Sequence, residues 1–177
     1  MCQDPQLHFG LKFHFGNSDV DLTNPQHLAQ LRQVFRAANK QRMAIVVHMR
    51  PSVTRRRPYG AKQAQLFLDE LLPAARDIPI QIAHLTGAGG YDDPSIDEAL
   101  NVFVAAISRK DSRLKNVYFD ASGVAGLGKW EEKSSLIATR IRQLGVGRIL
   151  YGSDGAGQGN LTPSQAWAMF RRLPLGR

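Results

Sequence analysis

The stretch "IPIQIAHLTGAGGYDDP", Ile78 to Pro94, contains the opening of one complete folding unit. An apolar run, "IPIQIAHL", is long enough for a strand and too short for a helix of ordinary length. A glycine-rich loop follows, and the stretch closes on Asp93-Pro94, a capping residue followed by proline at the first helical position. Proline is accepted there because the backbone N–H it lacks has no intrahelical partner anyway. A strand that leads through a short loop into a capped helix is a βα unit.

The pattern recurs along the chain. Strand-like runs occupy "FGLKFHF" (9–15), "AIVVHM" (44–49), "IPIQIAHL" (78–85), "NVYFDAS" (116–122) and "RILYGSD" (148–154). Each precedes apolar residues at helical spacing. The first helix opens at Asn24-Pro25 and carries Leu28, Leu31, Val34, Phe35 and Ala38; the second carries Ala64, Phe67, Leu68, Leu71 and Leu72. The third starts at Asp93-Pro94 with Leu100, Phe103, Val104 and Ile107, the fourth shows Leu136, Ile137, Ile141 and Leu144, and the fifth starts at Thr162-Pro163 with Trp167 and Phe170 as core residues. Strands that read as apolar on both faces and alternate with helices predict a parallel sheet with right-handed crossovers. The fold class is therefore α/β, five βα units in one domain over residues 1–177, arranged as an open doubly wound sheet or as part of a barrel.

Composition narrows the function classes. Of 177 residues 43% are apolar and 21% charged, which is globular usage and excludes a chain disordered throughout. The formal charge of +8 is spread along the sequence except at Arg55-Arg56-Arg57, a basic loop preceding Pro58, so nucleic acid is not the expected partner. That loop reads either as solvated or as a contact for an anionic substrate group. Cys2 is the one cysteine, which excludes a disulfide framework and a cysteine-based zinc site. No apolar run is long enough to span a membrane, and the N-terminal residues lack a signal-peptide plan, so a cytoplasmic protein acting on a small molecule is expected.

The chemistry collects at the strand ends. His14, His48, His84, Asp120 and Asp154 follow one another at intervals of 34, 36, 36 and 34 residues, one for each βα unit. In parallel α/β folds the carboxyl ends of the strands form the functional rim. A polar residue ending an apolar strand is costly to bury unless something there satisfies it, and a shared metal would satisfy several at once. Alternation along a strand places Lys12 with His14, Val46 with His48, Ile80 and Ile82 with His84, and Leu150 and Gly152 with Asp154. His14, flanked by Phe13 and Phe15, is either a ligand, a substrate contact or a packed ring; Asp120 either caps the following loop or is catalytic. "HLTGAGGYDD" lacks the lysine and helix register of a phosphate loop.

"GLKFHF", "IVVHM", "IQIAHLTGAGGYDDP", "VYFDASG" and "RILYGSD", in that order, resemble strands four to eight of the amidohydrolase superfamily, specifically the amidohydrolase-2 branch of TIM-barrel metal-dependent hydrolases, over nearly the whole chain. The resemblance implies that His48 is a metal ligand, that His84 is a ligand or polarises the substrate, and that Asp154 is both ligand and general base. It implies a divalent cation, Zn²⁺ by its taste for imidazole and carboxylate, that activates water to attack an amide, ester or lactone; some members decarboxylate or hydrate instead. Lys12 or His14 would be a further metal or substrate contact, and Arg50 and Arg55 would hold a substrate carboxylate. The family's first strand supplies a His-x-His pair that occurs nowhere in this sequence. The five units then correspond to the C-terminal portion of a (β/α)8 barrel, expected to be weakly active or inactive alone and to self-associate through exposed sheet edge. Two rivals remain: a non-catalytic binding or assembly module with structural histidines, and a flavodoxin-like sheet that binds a phosphorylated ligand.

Overall fold

All five expected units fold as a strand followed by a helix. The strands are β1 (Gly10–His14), β2 (Ala44–His48), β3 (Ile80–Ile82), β4 (Val117–Asp120) and β5 (Ile149–Leu150), and the helices are α1 (Pro25–Lys40), α2 (Ala61–Leu66), α3 (Pro94–Ser108), α4 (Trp130–Leu144) and α5 (Pro163–Phe170). The structure, a computed structural model, describes residues 10–52, 54–155 and 159–176. Cys2, and Phe9 at the expected start of the first strand, lie outside them.

The capping residues do what their chemistry dictates. Asn24 accepts from the backbone N–H groups of Gln26 and His27, Asp93 accepts from that of Ser95, and Thr162 forms a reciprocal capping box with Gln165. The second helical pattern is not one uniform helix. From α2 the chain passes into a π-helical turn at Phe67–Leu71 and a 3₁₀ turn at Leu72–Ala75. Pro73 accounts for this, because it offers no N–H and its ring crowds the carbonyl four residues back.

All strand pairings are parallel, in the order β1-β2-β3-β4-β5. A doubly wound sheet reverses its order at a switch point; an unreversed order is that of a barrel wall. The flavodoxin-like alternative therefore falls. Crossovers of one hand put every helix on one face of such a sheet, and the helices pack in series, α1 on the Phe67–Ala75 segment, α2 on α3 and α3 on α4.

That one-sided cover corrects the expectation of strands apolar on both faces. Phe13, Ile45, Val47, Ile80, Ile82, Val117 and Phe119 face the helices, whereas Lys12, Val46, Gln81 and Tyr118, which lie side by side in register, occupy the opposite face and stay partly or fully exposed. The covered face is organised by a run of phenylalanines. Phe13 meets Phe35 at 5.6 Å between ring centroids, Phe35 meets Phe67 at 6.0 Å, Phe67 meets Phe103 at 6.4 Å and Phe103 meets Phe119 at 5.5 Å. Three of these contacts are edge-on, the arrangement that aromatic quadrupoles favour. No described helix is long and apolar enough to cross a membrane.

Phe103 is fully buried in the middle of this run and touches rings on both sides. Phe103→Ala is expected to lower the unfolding free energy by about 3–5 kcal/mol, through lost transfer energy and the cavity left behind. Urea titration followed by circular dichroism checks it; Phe103→Leu should cost clearly less.

Candidate functional site

His14 and His48 end adjacent parallel strands and are register partners, so their side chains leave the sheet on the same, helix-free face. Their rings stack with centroids 4.0 Å apart and planes 11° from parallel. His14 Nδ1 accepts the N–H of Asn17 at 3.1 Å. His48 is 7% exposed, and its Nδ1 is buried with no hydrogen-bond partner among the described residues. Burial first, then the proximity of His14 and His84, push its pKa down to about 4. Burial likewise lowers His14. His48 is therefore a neutral imidazole at pH 7, the form that offers a lone pair.

His84 reaches the same place by a different route. The third strand ends at Ile82, and because Ile80 and Ile82 face the helices, simple alternation would point His84 away from His48. The backbone instead turns left-handed at His84 (φ 53°), Leu85 (46°) and Thr86 (74°). The turn returns the His84 ring to the polar face, 5.1 Å from that of His48 and at 70° to it. Three consecutive non-glycine residues in this region each cost roughly 1 kcal/mol or more, so the surroundings must hold them. Asp120 supplies most of that hold. Its Oδ1 accepts from the His84 N–H (3.0 Å), the Ser122 N–H (3.1 Å) and the Ser122 hydroxyl (2.5 Å), and its Oδ2 accepts from Gln81 Nε2 at 2.7 Å. Thr86 is tied by its carbonyl to the Tyr59 hydroxyl at 2.5 Å and by its own hydroxyl to the Ile96 carbonyl at 3.2 Å.

Of the two roles open to Asp120, the structure gives it the cap. The residue that sequence reasoning missed is Ser122. His84 Nδ1 lies 2.7 Å from the Ser122 carbonyl, which only accepts, so Nδ1 carries a proton and, in the neutral ring, Nε2 holds the lone pair. Ser122, His84 and Asp120 have the composition of a nucleophilic triad but the wrong order. The serine hydroxyl donates to the carboxylate, and both approach the same ring nitrogen, so no base stands ready for the serine proton. The signal in the sequence was "DAS", an aspartate two residues before a serine, the spacing of a side-chain-capped turn.

Asp154 lies four residues beyond the end of β5, in an exposed loop with φ 52°. The alternation expected through Gly152 thus does not apply there. Asn160 Nδ2 donates to its carbonyl at 2.6 Å and to its Oδ2 at 3.2 Å. Its charge is near enough to act on His14. Lys12, two residues before His14 on the same face, is exposed, and its charge opposes protonation of both His14 and His48.

The arginines expected to meet a substrate carboxylate already have carboxylates. Arg50 is buried, pairs with Asp93, donates to Ser95 Oγ at 3.2 Å and lies over the Tyr59 ring at 5.0 Å. Arg55 pairs with Asp19 at 2.7 Å, beside Arg57, which grips both oxygens of the same aspartate at 3.0 and 2.9 Å. These pairs tie successive rim loops together. The loops after β3 and β4 are joined next, by the Gly90 N–H to the Gly123 carbonyl (2.7 Å) and the Lys129 N–H to Asp92 (2.9 and 3.1 Å). Gly128 is required there: a Cβ would sit 2.1 Å from Asp92 Oδ2.

A divalent cation finds suitable donor chemistry in two neighbouring imidazoles, one with its tautomer fixed and one with an unpartnered buried nitrogen. The described residues fall short in number, since no three His, Cys, Asp or Glu side chains among them are grouped to hold a metal ion. No family model matches the chain. No curated protein matches it either. A solved structure titled Amidohydrolase 2 from Bifidobacterium longum subsp. infantis is similar, with 17% identity, a TM-score of 0.49, and coverage of 84% of this chain and 48% of that one. The chain thus spans about half the length of that structure.

The depressed His48 pKa makes a pH prediction. Its folded value of about 4 lies below the ordinary 6.5, so the unfolded chain binds the proton more readily. The associated stability is complete above pH 6.5 and drains away as the pH falls toward 4, by a total on the order of 3 kcal/mol. Urea midpoints measured across this window in the presence of chelator should show the loss, and His48→Gln should flatten it.

Proposed function

We propose that this chain forms part of the catalytic rim of a metal-dependent hydrolase of the amidohydrolase type, acting on an amide, ester or lactone of a small molecule. The observation that carries the reading is the meeting of His48 and His84, from two different strand ends, with ring centroids 5.1 Å apart on the helix-free face of a parallel sheet. His48 and His84 would hold the cation, with Asp154 as the carboxylate of the set. A bound Zn²⁺ supplies a Lewis acid that polarises the carbonyl under attack and makes water acidic near neutral pH.

The chain's own residues carry the remaining tasks. His84 presents Nε2, because its Nδ1–H is committed to Ser122. His48 stays neutral through burial, so its lone pair does not have to compete with a proton above pH 5 or so. Asp154 engages Asn160 through Oδ2, and its other oxygen is the atom to accept the proton of the attacking water and return it to the leaving group. The second reading, a binding module with structural histidines, draws on the shortage of a third grouped donor among the described residues.

Calorimetric titration of the chelator-treated chain with Zn²⁺ distinguishes the two. One site is expected, weakened at least about tenfold by His48→Gln and by His84→Gln. A panel of activated esters, lactones and amides, with Zn²⁺ present, then reads hydrolysis, which Asp154→Asn should reduce by about a hundredfold or more at matched occupancy. No Zn²⁺ binding, or binding indifferent to both histidines, would overturn the hydrolase reading in favour of the module.

A further inference from the structure

Asp120 is 4% exposed, so no substrate reaches it, yet both of its oxygens accept, in four hydrogen bonds from described residues. A carboxylate buried at the end of a strand costs several kcal/mol unless it is bonded to this degree. What matters is whose donors these are. One is the N–H of His84 itself. Another is Gln81, on the strand that delivers His84. The other two, N–H and hydroxyl, belong to Ser122, whose carbonyl takes the proton on His84 Nδ1. Asp120 thus grips His84 from both sides, at its backbone directly and at its ring through Ser122.

From this juxtaposition we infer that Asp120 is the positioning residue of His84: it holds the left-handed turn that brings the ring to His48 and, by placing the Ser122 carbonyl, fixes the Nδ1–H tautomer that leaves Nε2 as the donor atom. The inference rests on the reading of His84 as a working imidazole. The chain of cause is short. The Ser122 hydroxyl gives its proton to Asp120 Oδ1, so at 3.1 Å it faces His84 Nδ1 with lone pairs, alongside the carbonyl at 2.7 Å. Two acceptors at one ring nitrogen require the proton there. Without the carboxylate, the Ser122 N–H and hydroxyl and the His84 N–H all lose their partner. The serine loop is then free to move its carbonyl, and the hydroxyl is free to turn its proton toward the ring.

The test is the tautomer itself, read from the ring ¹⁵N resonances of His84 in metal-free protein at pH 7.5 and assigned with His84→Gln. Wild type should show Nδ1–H alone. Asp120→Asn, which keeps an oxygen of the same reach and lets Gln81 turn its amide, should preserve it. Asp120→Ala should admit the Nε2–H form. Asp120→Ser, a milder change, should show the same admixture at a lower level, so a lost fold in the alanine variant does not end the test. A second readout is Zn²⁺ affinity, expected to fall about 10- to 100-fold in the alanine variant and to recover in Asp120→Asn. Nδ1–H alone in the folded serine and alanine variants, or Nε2–H in wild type, overturns the inference. If wild type binds no Zn²⁺ while the tautomer responds as described, the hydrolase reading fails and the positioning role stands.

Discussion

Five strands run in one direction and pair in the order in which they occur, and that constraint shapes nearly everything else. Parallel neighbours cannot be joined by a hairpin, so each connection must travel back across the sheet as a helix, and crossovers of one hand lay these connecting helices on one face. The covered face becomes the apolar core, with fully buried Ile82, Val47 and Phe119 beneath the helices. The other face has no helix to cover it and carries Lys12, Gln81 and Tyr118. The same directionality brings all strand ends to one rim, so polar residues scattered over 140 residues of sequence, from His14 to Asp154, collect at one end of the molecule.

Within that rim the histidines are placed by unlike means. His14 and His48 are positioned by register alone, side by side at the last rung of two paired strands. His84 is positioned by three backbone angles that L-residues avoid, held by a buried carboxylate and by two bonds to Thr86. The first arrangement follows from sheet geometry and involves no strained torsion. The second concentrates strain of a few kcal/mol where a side chain must be redirected, as strained backbone at functional positions generally does.

The architecture was legible in the sequence because its signals are local. Cap-proline pairs at Asn24, Asp93 and Thr162, and the run of apolar residues after each, lie within a few residues of the structure they specify. The site was legible only in outline. Periodicity brought His14, His48 and His84 to one rim, but alternation through "IQIAH" placed His84 with Ile80 and Ile82, because no residue type in that run announces a left-handed turn. β5 is only two residues long, so "RILYGSD" read as a strand reaching Asp154 when most of it is loop. The pairing of the arginines was hidden for a third reason. Their partners, Asp93 for Arg50 and Asp19 for Arg57, lie 43 and 38 residues away, a separation that no local pattern reveals.

The ties between rim loops have a mechanical consequence. Asp19 with Arg55 and Arg57 links the first loop to the second, Arg50 and Tyr59 link the second to the third, and Asp92 and Gly90 link the third to the fourth. Each link is short and joins neighbours, so the four loops form a continuous series in which each braces the next. Loops braced in this way before anything binds would leave little ordering free energy to be lost on taking up a small molecule.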